Sequence, residues 1–108
     1  MFVDMSNASR NALMKESEFS RIAKALADPR RFEILKVIID AGEISCGEVA
    51  ARFPVSQSTI SHHLRLLTEA GLVRVRREGQ FGYFSPKPAT FEKYIEALGS
   101  NLRERVPM

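Results

Sequence analysis

From Val55 to Gly71 the chain reads Val-Ser-Gln-Ser-Thr-Ile-Ser-His-His-Leu-Arg-Leu-Leu-Thr-Glu-Ala-Gly, with no carboxylate before Glu69. At the helical period of 3.6 residues, Ile60, Leu64 and Leu67 form one apolar stripe. Ser58, Ser61, His62 and Arg65 point broadly the other way, and Gln57 lies at the exposed N-terminal end. Hydroxyls, an amide, an imidazole and a guanidinium on one helix face suit phosphates and base edges. Gln57 can meet an adenine edge with two hydrogen bonds. Ser58 and Ser61 are short enough for close approach to bases or phosphates. Thr59, on the flank, suits a phosphate or a thymine methyl. Arg65, a turn further on, suits a phosphate. A second basic group follows in Arg74, Arg76 and Arg77, with Gln80. Arg76, Arg77 and Gln80 suit a phosphate backbone or a minor groove beside the same site. The competing reading for each of these residues is a solvated surface. His63 falls beside the apolar stripe and reads as a packed, hydrogen-bonded histidine.

Positioning such a face needs a well-defined helix. Ser56 is a good N-cap, Val55 and Ile60 can form a hydrophobic staple, and Gly71 can end the helix in the left-handed conformation. Just upstream, Ser45-Cys46-Gly47-Glu48 reads as a capping box, with Val49, Ala50 and Phe53 as the apolar side of a short helix stopped by Pro54. Two short helices across a tight turn, the second polar outside, form a helix-turn-helix pattern over residues 45–71. Glu43-Ile44-Ser45 reads as an extended connector.

Residues 1–15 read as an arm or an extension of the first helix. Over residues 16–27, Phe19, Ile22, Ala23 and Leu26 share one stripe. Asp28-Pro29 then caps and opens a second helix running to about Asp40. That helix is apolar over most of its circumference, which predicts a place at the centre of the core. After Gly71 the period changes to two, so residues 72–86 read as two strands around Glu78-Gly79-Gln80. Over residues 89–105, Phe91, Tyr94, Ile95, Leu98 and Leu102 lie on one narrow stripe of a last helix. The predicted class is therefore mainly α with a small β-hairpin: a winged helix-turn-helix, about five helices plus a two-stranded wing, in a single domain over 16–105.

The whole chain allows this and excludes much else. Its 108 residues fill one small domain. A 44% hydrophobic and 27% charged composition fits a folded chain rather than a disordered one. The net charge of +3 and pI of about 9.4 permit nucleic-acid binding without requiring it. With one cysteine, no internal disulfide can form. There is no signal peptide pattern and no apolar run near the roughly 18 residues of a membrane span, so a cytoplasmic location is expected. No catalytic triad, spaced carboxylate pair, phosphate loop or cofactor motif is present, and an enzyme is not expected.

The organisation resembles the ArsR/SmtB family of bacterial transcriptional repressors over about residues 18–86, with the last helix matching in kind. The residues that carry the likeness are Ala25-Leu26-Ala27-Asp28-Pro29-Arg30-Arg31, Ile34-Leu35, Ser56 to Leu64, Gly71-Leu72-Val73 and the Arg77–Tyr83 hairpin. The resemblance implies that Gln57, Ser58, Ser61 and His62 contact the major groove. It also implies a homodimer in which the first and last helices pack across a two-fold axis, through Phe19, Ile22, Leu26, Phe91, Tyr94, Ile95, Leu98 and Leu102. The alternative is that these stripes close the protomer's own core. A two-fold dimer would read an inverted-repeat operator in double-stranded DNA.

Many members of the family release DNA on binding a metal, through a Cys-x-Cys pair in the short helix or Asp and His on the last. Here Ser45 and Gly47 occupy the two cysteine positions, Cys46 lies between them, and residues 89–105 hold neither His nor Cys. His62 and His63 are adjacent and point about 100° apart on a helix, which does not suit one ion. Neither a metal nor a cofactor is therefore expected, and the sequence names no inducer. The alternatives are a winged-helix module that binds protein or RNA, and a repressor switched by Cys46 oxidation or another ligand.

Overall fold

The computed structural model describes residues 14–107. The expectation for residues 1–15 lies outside that range except for Met14, which is buried, and Lys15. The order is α1 (Glu16–Ala27), α2 (Pro29–Ala41), β1 (Ile44–Ser45), α3 (Cys46–Ala50), α4 (Gln57–Glu69), β2 (Val73–Glu78), β3 (Phe81–Pro86) and α5 (Pro88–Arg103). Five helices and a small antiparallel sheet among the described residues match the class expected from the sequence.

Local chemistry sets the helix ends. Asp28 accepts from the Arg31 backbone N–H at 3.0 Å, with Pro29 opening α2. That bond holds the Asp28 carboxyl below its ordinary range. The capping box forms: Ser45 Oγ accepts from Glu48 N–H at 3.2 Å, and Glu48 accepts from Ser45 N–H at 3.0 Å. Ser56 Oγ accepts from Thr59 N–H at 3.2 Å. At the other end of α4, Gly71 takes φ 77°, its N–H reaches Thr68 O, and Leu72 N–H reaches Leu67 O, both at 3.0 Å. These two bonds form a Schellman motif, and a residue with a Cβ would be strained there.

One cluster supplies the core. Ile34 and Ile38 of α2, Ile60, Leu64 and Leu67 of α4, and Val49, Leu72 and Val73 are fully enclosed. Two expectations change here. The connector Ile44–Ser45 pairs with β3, so the wing is part of a three-stranded sheet in the order β1-β3-β2. Phe84 stands opposite both Ile44 and Val75, and this apolar row explains why so short a strand is held. α2 is not wholly enclosed either. Phe32 and Ile39 are 44% and 43% exposed, with the Lys36 ammonium 5.3 Å from the Phe32 ring centre.

The stripes assigned to a dimer divide as well. Ile22 is 1% exposed and belongs to the protomer's core, so it cannot reach across a two-fold axis. Its expected role is corrected: α1 turns Ile22 inward, where it joins the buried cluster. Phe19 and Leu26 flank it and are half-buried. Along α5, Phe91, Tyr94 and Ala97 pack on the core, and the Tyr94 ring lies 4.9 Å from that of Phe19. Ile95 (63%), Leu98 (37%) and Leu102 (59%) remain exposed.

Candidate nucleic-acid interface

The helix start and the wing define one face. Gln57, Ser58, Ser61, His62 and Arg65 from α4 line a groove of about 580 Å³ together with Arg77 and Gln80 from the wing. Its apolar lining comes from Leu64, Val75 and Phe84. Seven of the nine residues expected at the interface therefore share one cleft. Thr59 stays on the flank, where its hydroxyl is 2.9 Å from Ser56 Oγ. Ser58 Oγ is 3.1 Å from the same atom, so these hydroxyls hold one another at the helix entrance.

Further along, Arg65 Nη2 lies 3.0 Å from His62 Nδ1, and Arg65 Nε is 3.9 Å from Glu69. The first contact holds the guanidinium over the groove side of α4. The second is a surface pair of little strength. Arg21 of α1 approaches the Glu69 carbonyl at 3.5 Å, a favourable place for a cation at a helix C-terminus.

The hairpin separates its arginines by strand alternation. Arg77 pairs in register with Gly82, and a Cβ at Gly82 would stand 3.0 Å from Arg77 Nη1 and 3.3 Å from Val75 Cγ2. Glycine at that position leaves the space in which Arg77 lies over the wing. Arg77 has no ion pair among the described residues and lines the groove.

Arg76 departs from the expectation. It takes the opposite strand face, opposite Tyr83, and its guanidinium lies 4.7 Å from that ring centre. Glu43 accepts from Arg76 Nε and Nη2 at 3.2 and 3.1 Å, and Glu78 accepts from Nη1 at 2.9 Å. The Arg76 hydrogen bond holds the Glu43 carboxyl below its ordinary range. With two carboxylates already around it, Arg76 fastens the wing to the loop after α2 and is a poor phosphate ligand.

Thr68 and Cys46 also line the groove, though neither was expected at the interface. Thr68 lies seven positions after Ser61 on the same helix face, a signal visible in the sequence. Cys46 is half-buried there, a position set by how α3 packs beside the wing. Arg30 and Arg31, at the start of α2, have partners within the protomer: Arg30 lies 5.5 Å from the Phe53 ring centre, and Arg31 bonds Ala25 O and His63. Among the described residues, no group of three or more His, Cys, Asp or Glu could hold a metal ion. No helix among them is long and apolar enough to cross a membrane.

A polar, carboxylate-poor helix face beside a basic wing is the arrangement of a winged helix-turn-helix regulator that binds DNA. Comparison with known proteins agrees: residues 26–76 match a helix-turn-helix domain family. The chain is 38% identical over 66 residues to the transcriptional repressor SdpR of Bacillus subtilis, covering 61% of this chain and 72% of that one. It is 32% identical over 103 residues to a cadmium resistance transcriptional regulatory protein, a CadC homolog of Staphylococcus aureus, covering 94% and 85%. Among solved structures, it resembles the homodimeric winged helix-turn-helix DNA-binding domain of a possible ArsR-family regulator from Mycobacterium bovis. That match has a TM-score of 0.65 and 27% identity and covers 84% of this chain and 83% of the other. The chain belongs to the ArsR/SmtB family of transcriptional regulators.

Proposed function

We propose that the protein is a homodimeric repressor that reads an inverted-repeat operator. In this reading, Gln57, Ser58, Ser61 and His62 meet base edges in the major groove, while Thr59, Arg65, Arg77 and Gln80 engage the backbone beside them. The observation that carries it is the single groove in which these α4 donors face Arg77, with no carboxylate among its lining residues. Residues 16–27 and 89–105 form the dimer contact through Phe19, Leu26, Ile95, Leu98 and Leu102, in support of which the last three stand exposed. The M. bovis neighbour, described as homodimeric, supports the same assembly.

Release by a metal at the short-helix position does not suit these residues. The Ser45 hydroxyl holds the α3 cap, Gly47 has no side chain, and Cys46 is the only thiol. Four thiolate or imidazole ligands are the usual need of a structural zinc.

Selection of duplexes from a random library, followed by binding measurements on the selected and scrambled sequences at several salt concentrations, tests the proposal. The selected sites should be inverted repeats, and affinity should fall steeply with salt. A log–log salt slope near zero would contradict phosphate contact. Gln57→Ala should reduce discrimination between the selected and scrambled duplexes by about 1–3 kcal/mol per half-site. Arg77→Ala should weaken binding to both about equally and, with one Arg77 lost from each protomer of the dimer, make the slope shallower by about 1.8. Arg76→Ala should leave the slope close to wild type, because that guanidinium is already paired with Glu43 and Glu78.

A further inference from the structure

A buried polar link joins the DNA-facing helix to the rest of the fold. His63 lies on the inner side of α4, next in sequence to the groove residue His62, and is 9% exposed. Its Nδ1 stands 3.0 Å from Arg31 Nη1. A guanidinium only donates, so Nδ1 accepts and the ring proton sits on Nε2. Arg31 is held from two other sides. Its Nε donates to the Ala25 carbonyl at 2.8 Å, near the end of α1, and its backbone N–H donates to the Asp28 carboxylate at 3.0 Å. One arginine thus connects the end of α1, the start of α2 and the middle of α4.

We infer that Arg31 and His63 are a positioning pair that sets the angle of α4 against the body, and that protonation of His63 weakens DNA binding. The inference rests on the DNA-binding reading above. A proton on Nδ1 removes the acceptor and places an imidazolium against a guanidinium. Arg31 is anchored at the Ala25 carbonyl and His63 is buried on the inner side of α4, so the repulsion bears on the seating of the recognition helix.

The surroundings as a whole favour the neutral ring, with burial the largest cause. Burial holds the His63 pKa below its ordinary value of 6.5, Arg31, His62 and Arg30 act in the same direction, and Asp28 opposes them. Three other charged groups on the elements packed against α4 are engaged elsewhere, while Arg77 of β2 lies in the groove on the outer side of α4. Arg21 of α1 reaches the Glu69 carbonyl, Glu48 of α3 is bound at Ser45, and Arg76 of β2 is bound to Glu43 and Glu78. Since the depressed pKa belongs to the docked arrangement, a displaced or unfolded α4 takes up the proton more readily. The seating is fully present above 6.5 and is lost as pH falls below it. His62 acts with the opposite sign, because its protonation adds a cation beside DNA phosphates.

The test uses the full chain carrying His62→Gln, which removes that opposing effect, and a duplex selected at pH 7.5. Affinity should fall several-fold between pH 7.5 and 5.5 at constant ionic strength. Adding His63→Asn, whose amide oxygen can accept from Arg31 but cannot be protonated, should flatten the profile. An acid loss that persists in His63→Asn, or no loss in either protein, overturns the pair. A loss of helical ellipticity shared by both over the same pH range also overturns it. Imidazole NMR on the DNA-free protein decides independently: His63 should show the Nε2–H tautomer and titrate below 6.5, and a midpoint at or above 6.5 overturns the inference. Failure of the wild-type chain to bind any selected duplex at pH 7.5 sinks the DNA reading alone, since the imidazole titration still judges the pair.

Discussion

Ile95→Asp combined with Leu98→Asp is expected to leave the chain folded and monomeric, with operator affinity lower by about 10²–10⁴-fold. The size of the effect follows from what these residues do and do not touch. α5 contributes no buried residue to the protomer, and it is attached through Phe91, Tyr94 and Ala97. Ile95 and Leu98 belong to the same stripe as Phe91 and Tyr94 but are 63% and 37% exposed, in line with Leu102. Placing two carboxylates there costs the protomer's own core little. In a two-fold contact each carboxylate is duplicated, so four charges would enter an apolar seam. A monomer binds one half-site at a time and loses the high effective concentration that the second half-site otherwise supplies. Sedimentation with circular dichroism gives the assembly state and the fold, and anisotropy on full-site and half-site duplexes gives the affinity. The monomer should bind a half-site duplex about as well as one arm of the wild type does. A variant that stays dimeric, or a monomer that binds the full site as tightly as wild type, would place the dimer contact elsewhere.

Ile38→Ala should destabilise the fold by about 2–5 kcal/mol, the cost of deleting a buried aliphatic side chain and leaving a cavity. Ile38 has no exposed surface and belongs to the same enclosed cluster as Ile34, Ile60, Leu64 and Leu67. The cluster is shared by α2 and α4, so neither helix can shift to fill the void without moving the other. Denaturant unfolding at fixed protein concentration should show a lower midpoint with an unchanged slope. Thermal unfolding should fall by about 4–8 °C per kcal/mol for a domain of this size. Ile39→Ala, one residue along the same helix, is the internal comparison: Ile39 is 43% exposed, and its loss should cost well under half as much. Equal costs at the two positions would mean that Ile39 is buried in the assembled protein, which would make this face of α2 part of an interface.

Most of the helix-turn-helix was legible because its determinants are local. Ser45 with Glu48, Asp28 with Pro29, and Ser56 with Gly71 each cap a helix through atoms within a few residues. The helical period alone separated His62 from His63, since adjacent helical residues point about 100° apart. The outward donors of α4 were legible for the same reason.

Neighbours distant in sequence decided the rest. Alternation shows that Arg76 and Arg77 take opposite strand faces, but not which of them meets the recognition helix. Glu43, 33 positions before Arg76, settles that by claiming its guanidinium. Ile44 and Ser45 are too few to announce a strand, and they become one only because β3 lies alongside with Phe84 between Ile44 and Val75. Ile22 shares a stripe with Phe19 and Leu26, and only the position of the buried cluster shows that this residue faces the protomer's own core.

By itself the sequence determined that a capped helix presents Gln57, Ser58, Ser61, His62 and Arg65 outward, since caps and periodicity act over single turns. The tertiary structure alone brought Arg77 and Gln80 into the same groove, turned Arg76 away to Glu43 and Glu78, and set Arg31 against His63. Those outcomes depend on contacts between residues far apart in the chain, which exist only once α2, α4 and the wing have packed around one core.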